Sequence, residues 1–509
     1  MELLYYFIFC FSILFLLSKL LLQKKKHSPP SPTALPIIGH LHLFKKSLHR
    51  TLEALAGQYG PILSLQFGFR SVLVVSTPSA IEECFTKNDT ILANRPYCFA
   101  GEHLAYNYTA FIWSPYGHHW SILRRITNVE IFSSDSLKTS SIIRNKEITH
   151  LVRQLYRGSD VGKLQKVELK SLFLQLTLNI TMGLVTGKRL FGDKEVNVEL
   201  REKYLEILRE QPASQTMFMS MLDFLPFLRW VGFVGEEKKI IRFHRKRDAF
   251  LQGLIDDRRR RRSNFSQKIK EGERKKTLVD ALLCLQEAEP EYYPDDIIKG
   301  VILVLFTAGI DTSALTLEWA MSLLLNHPEA LKKAREEIDN NVEQGRLIED
   351  SDLAKLPYLR CIINETLRLF PVAPLLLPHV SSKECSIGGY AVHPGTILLV
   401  NAWAVHRDPK IWFESTSFKP ERFEGIEGER EGFKFIPFGL GRRMCPGAGM
   451  GIRVVSLALG ALLQCFEWGR VGPEKVDMSE DPGLTIPKAK PLEAMYMPRP
   501  SMISLCTQL

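Results

Sequence analysis

The chain has 509 residues, of which 45% are hydrophobic and 24% are charged, and its formal net charge is +10. This is the composition of an ordinary globular protein that can bury a large core, and it excludes a disulfide-dense scaffold. Nine scattered cysteines without a C-x-x-C pair argue against a zinc ribbon or a thioredoxin-like motif and indicate a reducing compartment. The modest positive charge does not by itself indicate nucleic acid, and we predict no nucleic-acid partner.

Residues 1–23 predict a membrane anchor. Residues 3–22 are almost wholly apolar, and about 20 such residues suffice for a helix to cross a bilayer. Lys24, Lys25 and Lys26 follow at once, which predicts that the rest of the chain faces the cytosol. A cleaved signal peptide is the second interpretation, because the apolar stretch is long and no small-x-small cleavage site follows it.

The chain after the anchor predicts a hinge and one large domain. Residues 24–40 are basic and rich in proline, which favours a stiff, extended spacer. Residues 41–509 predict a mainly α domain with a small β portion, whose strands lie in 61–77, with a turn near Gly68, and in 373–400. Helical periodicity covers the segments 118–155, 168–186, 195–210, 236–262, 275–289, 295–326, 328–340 and 352–370.

One cysteine, Cys445, lies in an unusual setting, the segment FIPFGLGRRMCPGAG at 435–449. Glycines let a backbone approach a flat cofactor, and a thiolate binds soft or borderline metals. A lone cysteine cannot hold an iron–sulfur cluster or a structural zinc, but it can be the sole protein ligand of a heme iron. An apolar helix is predicted directly afterwards, and its N–H groups would point at the thiolate.

The pattern Phe438-x-x-Gly441-x-Arg443-x-Cys445-x-Gly447 resembles the heme-binding signature of the cytochrome P450 superfamily, the heme-thiolate monooxygenases. Further motifs follow in the order and at the distances usual for that family. The resemblance implies the P450 fold, heme b with Cys445 as the axial iron ligand, and O2 as co-substrate. It also implies that Phe438 shields the sulfur and that Gly441, Arg443 and Gly447 bind the cofactor.

The segment LFTAGIDTSALTLEWA at 305–320 resembles the family's oxygen-activation motif. A core helix or a second membrane span is the plainer interpretation, although Asp311 and Glu318 argue against a span. The resemblance implies that Gly309 lets the helix open beside bound oxygen. It further implies that Thr312 and Asp311 are the catalytic residues, which relay protons.

Two other motifs pair charged or aromatic side chains. Glu365 and Arg368 of NETLRLFP share one helix face, and the resemblance implies that they are buried with Arg422 of FKPERF and hold the cysteine loop. Trp120 and Arg124 of HHWSILRRI are four residues apart on a predicted helix.

The resemblance implies that Trp120 and Arg124 face the heme propionates, for which the guanidinium fork is suited. Arg443 and His379 are the additional propionate partners that it implies. For His379 a simple hydrogen-bonded core histidine is an equal alternative.

The anchor and hinge resemble those of microsomal members of the family. This implies a single-pass protein of the endoplasmic reticulum membrane that receives electrons from NADPH-cytochrome P450 reductase. The chain carries no dinucleotide or flavin fingerprint, so we expect no bound flavin or NADPH of its own.

Largely apolar residues predict a small hydrophobic substrate, in a pocket built from the regions 98–119, 207–220, 301–312, 371–377 and 483–486. The segments AYNYTAFIWSPYGHHW and FIPFGLGRRMCPGAGM resemble plant family 81 of the superfamily. The resemblance implies hydroxylation of a phenolic specialised metabolite, such as a flavonoid, isoflavone or lignan, with a terpenoid as the alternative. An enzyme that couples or rearranges substrates without inserting oxygen, or a non-catalytic heme sensor, fits Asp311 and Thr312 less well.

Overall fold

The structure is a computed structural model that describes residues 5, 9, 12, 28–43, 47–160, 162–192, 198–210, 220–229, 234–265, 277–425 and 432–509. The predicted anchor, apart from three isolated positions, and the basic start of the hinge lie outside the described residues. Within them the chain is mainly helical with a small β portion, as the sequence predicts.

The helices of the N-terminal half surround the later core helices. In chain order they are α1 (Leu48–Tyr59), α2 (Pro78–Phe85), α3 (Phe99–Leu104), α4 (His118–Thr127), α5 (Ser134–Thr139), α6 (Ser141–Arg157), α7 (Leu169–Thr186), α8 (Val198–Arg209), α9 (Met221–Phe224) and α10 (Val234–Phe265). The later helices are α11 (Leu278–Ala288), α12 (Asp295–Gly309), α13 (Asp311–Asn326), α14 (Pro328–Asn341), α15 (Pro357–Leu369), α16 (Ala402–Arg407), α17 (Ala448–Cys465) and α18 (Ile503–Gln508).

Nine described strands form three small sheets. They are β1 (Ile62–Phe67), β2 (Arg70–Val75), β3 (Gln165–Glu168), β4 (His379–Val380), β5 (Cys385–Ile387), β6 (Tyr390–Val392), β7 (Ile397–Val400), β8 (Phe466–Gly469) and β9 (Glu493–Pro498). The largest sheet has the order β1-β2-β7-β4, in which only the β2–β7 pair is parallel. The others have the orders β3-β9-β8 and β5-β6. The helices α1 and α2 and the β3-β9-β8 sheet are absent from the sequence prediction.

Two predicted helices are interrupted. The segment predicted as 118–155 is divided by a π-helical turn at Asn128–Phe132 and by a new start at Ser133, whose side chain accepts a hydrogen bond from the Ser136 N–H. A serine at this position caps a helix and therefore favours a new beginning over continuation. The segment predicted as 295–326 is divided at Ile310.

The break at Ile310 follows from the residues around it. Gly309 is unfavourable inside a helix because it has the most backbone freedom to lose. The Thr312 hydroxyl donates to the Ala308 carbonyl at 2.7 Å, and such a bond often bends a helix. α12 and α13 are therefore two helices with a kink between them.

Among the described residues, three helical spans are long and apolar enough to cross a membrane: α7, α12 with α13, and α17. Between 61% and 78% of their most apolar windows is buried inside the domain. Contact with other parts of the protein therefore accounts for their apolar character.

Glu365 of α15 lies at the centre of an ion-pair network that is buried except for the partly exposed Arg422. Its carboxylate accepts bonds from Arg368 Nε at 2.7 Å and Arg368 Nη2 at 2.8 Å, and both side chains are 0% exposed. Arg422 Nε and the Lys419 N–H donate to the same carboxylate at 3.0 and 2.9 Å. The three charged side chains that the sequence groups together are thus in contact.

This network is connected to the loop that precedes Cys445. Arg368 Nη1 donates to the carbonyl oxygens of His406 and Ser415, each at 2.6 Å. The buried His406 ring in turn accepts the Ile436 N–H through Nε2 at 2.9 Å. Burial, with Arg368 and Arg407 nearby, lowers the pKa of His406 to about 3, so the ring is neutral and keeps this nitrogen free to accept.

Replacing Glu365 by Gln should destabilise the fold strongly. The substitution keeps the shape but leaves Arg368 and Arg422 without their counter-charge, and breaking a buried pair costs about 3–5 kcal/mol. Glu343→Gln is the matched control, because Glu343 also pairs with an arginine three residues away but is 79% exposed. Its loss should cost at most about 1 kcal/mol. Equal unfolding midpoints for the two variants in chemical denaturation would contradict the central role of Glu365.

Candidate functional site

A large internal cavity lies between α4, α7, the α12–α13 break and the loop before α17. The volume that the centre of a water-sized sphere can occupy inside this cavity is about 350 Å³. Cys445 and Thr312 both line this cavity, although they are 133 positions apart in the sequence. The cysteine motif and the threonine motif therefore belong to one site.

The Cys445 thiol is held at the start of α17. Its own N–H donates to the Phe438 carbonyl at 2.9 Å, which closes the loop between the two residues. Burial raises the pKa of the Cys445 thiol, while the backbone N–H groups of Gly447 and Ala448 and the Arg124 guanidinium oppose that rise. These donors favour a thiolate once a positive centre binds the sulfur.

Gly441 and Gly447 have different steric surroundings. Gly441 has φ +66°, a backbone conformation that favours glycine, and a Cβ there would also lie 2.3 Å from Asp89 Oδ1. A Cβ at Gly447 would lie 3.9 Å from the Cys445 sulfur and 3.5 Å from Phe132, which is ordinary contact. The backbone conformation therefore constrains Gly441, whereas the space around Gly447 does not by itself require glycine.

Three arginines surround one end of the cavity without a carboxylate partner among the described ion pairs. Arg443 donates to the carbonyls of Ala93 at 2.6 Å, Phe111 at 3.2 Å and Ser114 at 2.6 Å. Arg124 Nη2 donates to Met444 O at 2.7 Å, close to the thiol. Burial and the nearby Arg124 lower the pKa of Arg443 to about 9.

Arg95 is the third of these arginines, and the sequence analysis does not identify it. It donates through Nη1 to the carbonyls of Leu377 and Pro378, while its buried Nε has no partner among the described residues. Burial and the charge of Arg443 lower the pKa of Arg95 well below its usual value. An anionic group bound here would relieve this concentration of positive charge.

Trp120 and His379 lie at the same end of the cavity. The Arg443 guanidinium lies 4.8 Å from the centre of the Trp120 ring, which is a cation–π contact. His379 Nδ1 lies 2.7 Å from Leu92 O, and its ring also lines the cavity. Burial and Arg95 keep the pKa of His379 well below its usual value, so the ring is neutral.

Thr312 and Asp311 stand at the start of α13, directly after the helix break. Thr312 lines the cavity, as do Ala308 and Gly309. Asp311 is exposed and does not line the cavity. The protein atoms around its carboxyl nevertheless raise its pKa by desolvation, with Lys170 opposing the rise. A carboxyl group with a raised pKa keeps its proton to a higher pH and is able to donate it.

The predicted pocket regions contribute unequally to the cavity. Regions 98–119, 301–312, 371–377 and 483–486 supply lining residues. The described part of 207–220 supplies none, and 211–219 lies outside the described residues. One side of the cavity is formed by α7 and is not among the predicted pocket regions; it consists of Thr177, Ile180, Thr181, Leu184 and Val185. Their side chains fit the helical pattern of a core helix, so the sequence offers no signal that separates them from plain core.

The donor set fits a flat, dianionic, metal-containing group such as heme. In the described part of the chain, no cluster of three or more His, Cys, Asp or Glu side chains can hold a metal ion, so a metal here would rely on one thiolate. The same cavity offers that thiol, three partly desolvated arginines and a mainly hydrophobic wall. Each of these matches one part of heme: the iron, the propionates and the porphyrin ring.

The chain is similar to known proteins over most of its length. The family model described as Cytochrome P450 matches residues 29–493. Cytochrome P450 81Q32 of Catharanthus roseus is 53% identical over 94% of this chain and 93% of the relative. The (+)-piperitol/(+)-sesamin synthase CYP81Q2 of Sesamum radiatum is 48% identical over 94% and 92% of the two chains. The isoflavone 2'-hydroxylase of Medicago truncatula is 46% identical over 97% of each.

These similarities and the cavity geometry agree on one family. The matched region contains Cys445, Thr312, Glu365 and the three arginines. Relatives of family 81 are 45–53% identical to this chain over 93–96% of its length. The chain belongs to the cytochrome P450 family and is a monooxygenase that uses heme b and O2.

Proposed function

We propose that this enzyme hydroxylates a small phenolic specialised metabolite of plants, of the flavonoid, isoflavone or lignan type. One observation carries the proposal: the Cys445 thiol and the Thr312 hydroxyl line a single cavity whose substrate-side residues, such as Val304, Ala373 and Leu484, are apolar. An apolar cavity with few polar groups suits an aromatic substrate. The names of relatives that act on isoflavones or make sesamin support the same class.

The residue roles follow from chemistry and position. Cys445 would be the protein ligand of the heme iron, with Phe438 beside it on the cavity wall. Arg95, Arg124 and Arg443 would bind the propionates together with Trp120. His379 would contribute a neutral ring nitrogen. When bound, heme supplies the redox chemistry of O2, and a thiolate ligand favours cleavage of the O–O bond.

The chain itself must hold the substrate and deliver protons. One oxygen atom enters the substrate and the other leaves as water, which requires two protons and two electrons. Asp311 would supply protons from its carboxyl, and Thr312 would pass them on through its hydroxyl in the cavity. The surrounding apolar wall limits other water, so that protons arrive by this route.

We further propose that electrons come from NADPH-cytochrome P450 reductase at the endoplasmic reticulum membrane. Residues 1–23 would span the membrane and residues 24–40 would join the span to the domain. The apolar stretch and the lysines after it support this arrangement.

The carbon monoxide difference spectrum of the reduced protein tests the ligand. The wild-type protein should show the Soret band typical of thiolate-ligated heme, and Cys445→Ser should lose it. Cys284→Ser is the control, because Cys284 is an exposed free thiol far from the cavity lining. Retention of the band in the Cys445 variant would refute the ligand assignment.

Thr312→Ala should uncouple NADPH oxidation from hydroxylation. Without the hydroxyl, protons reach oxygen less selectively, and we expect the ratio of product to peroxide to fall by about tenfold or more. Ser322→Ala is the control, since Ser322 also donates to the carbonyl four residues earlier on α13 but does not line the cavity. The measurement compares NADPH consumed, peroxide released and product formed. Equal coupling in both variants would exclude Thr312 from the relay.

A substrate panel in reductase-supplied microsomes tests the substrate class. Isoflavones, flavones, lignans and terpenoids are incubated with NADPH, and products are identified by mass spectrometry. A phenolic substrate should gain one oxygen atom, with NADPH consumed in proportion. Conversion of a terpenoid with no phenolic converted would overturn the proposed class but leave the monooxygenase assignment intact.

A further inference from the structure

Two segments of the cavity wall lie outside the helices and strands, and the second contains one isolated β-bridge, between Glu480 and Lys488. Residues 371–378 lie between α15 and β4, and residues 470–492 lie between β8 and β9. The first carries Val372 and Ala373, and the second carries Leu484 and Thr485, all of which line the cavity. The position of such segments depends on a few specific hydrogen bonds and packing contacts.

Ile486 joins these two segments through its backbone. Its N–H donates to the Val372 carbonyl at 3.1 Å. The cavity-lining residues Thr485 and Ala373 are adjacent in sequence to the two residues that this bond joins. Its carbonyl accepts the indole N–H of Trp319 at 2.8 Å. Ile486 and Trp319 are both 0% exposed, so water does not replace either partner.

Trp319 is itself rigidly placed. It lies on α13, seven residues after Thr312, and its ring stacks on Phe370 with centroids 3.9 Å apart and planes 8° apart. The buried Lys488 ammonium lies 4.8 Å from the same ring and donates to the Asp477 carbonyl. Glu318, one residue earlier, accepts the Leu492 N–H at 2.9 Å. α13 thus holds residues 470–492 at two points, the carbonyl of Ile486 and the N–H of Leu492.

We propose that Trp319 is a positioning residue for substrate selectivity, which fixes both irregular wall segments to α13 through the Ile486 carbonyl. Trp319 is outside the cavity lining and touches no substrate. It acts by setting how far Leu484, Thr485 and Ala373 extend into the cavity. Without the indole N–H, the Ile486 carbonyl is left buried and without that donor, and the wall shifts to satisfy it. The inference rests on the proposed use of this cavity as the substrate site.

Trp319→Phe removes the N–H and keeps a ring against Phe370. Trp468→Phe is the matched control, because Trp468 also donates its indole N–H to a backbone carbonyl, Leu462 O, at 2.8 Å, but does not line or border the cavity. The readout is the spectral dissociation constant of two heme-binding azoles, imidazole and the bulky clotrimazole. It requires neither turnover nor a known substrate, so its failure is separate from failure of the proposed phenolic hydroxylation.

The ratio of the two dissociation constants should change by about fivefold or more in Trp319→Phe and by less than about twofold in Trp468→Phe. Imidazole is too small to reach both wall segments, so its own affinity should change little. A ratio that stays within about twofold of wild type in Trp319→Phe, or an equal change in both variants, would overturn the proposal.

Lys488→Met provides a second test. Methionine keeps the apolar stem but loses the bond to the Asp477 carbonyl and the cation–π contact with Trp319, so the same wall segment is loosened by a substitution outside α13. We expect the azole ratio to shift in the same direction as in Trp319→Phe, with heme content and thermal stability measured alongside. If neither variant retains heme, the two bonds serve the fold rather than selectivity, and the proposal is wrong.

Discussion

The buried carboxylate of Glu365 is the constraint on which the rest of the site depends. It pairs with Arg368, which is 0% exposed, and with Arg422, which is 11% exposed. Arg368 then holds the His406 carbonyl, and the neutral His406 ring holds the Ile436 N–H, nine residues before Cys445. The thiol is therefore placed by a continuous set of bonds that begins at an ion pair with no chemistry of its own. Such a pair is costly to desolvate, and its value lies in fixing one geometry.

The opposite design holds at the propionate end of the cavity. There the protein collects positive charge and satisfies it with carbonyl oxygens, so burial and Arg443 lower the pKa of Arg95, and burial and Arg124 lower the pKa of Arg443. Glu365 has its charged partners within the chain, whereas these arginines have no carboxylate partner among the described ion pairs. Under the proposed assignment the heme propionates would supply that negative charge, and heme binding would then stabilise the fold.

The sequence predicts best what is local. Three contiguous motifs each predict which side chains lie close together. They are the segment around Cys445, the Glu365–Arg368 pair and the residues around Thr312. The role of Arg95 is not predicted, because its hydrogen-bond partners, Leu377 and Pro378, are more than 280 positions away in the sequence. The strands β3 and β9 are not predicted either, because each has at most six residues and they pair across more than 320 positions of sequence. Apolar periodicity continues through Ile310 and gives no sign of the kink, which only the family resemblance indicates, through the helix opening that it implies at Gly309.

The kink between α12 and α13 divides the helix into two parts with separate attachments. α12 is tied to α10 through the buried Lys299, which pairs with Asp248. α13 is tied to the C-terminal wall through Glu318 and Trp319. The two helices therefore meet at Ile310 without forming one uninterrupted helix, and each keeps the place that its own side-chain contacts give it. A side-chain exchange at Val304 on α12 is accordingly separated from the Trp319 attachment by this break.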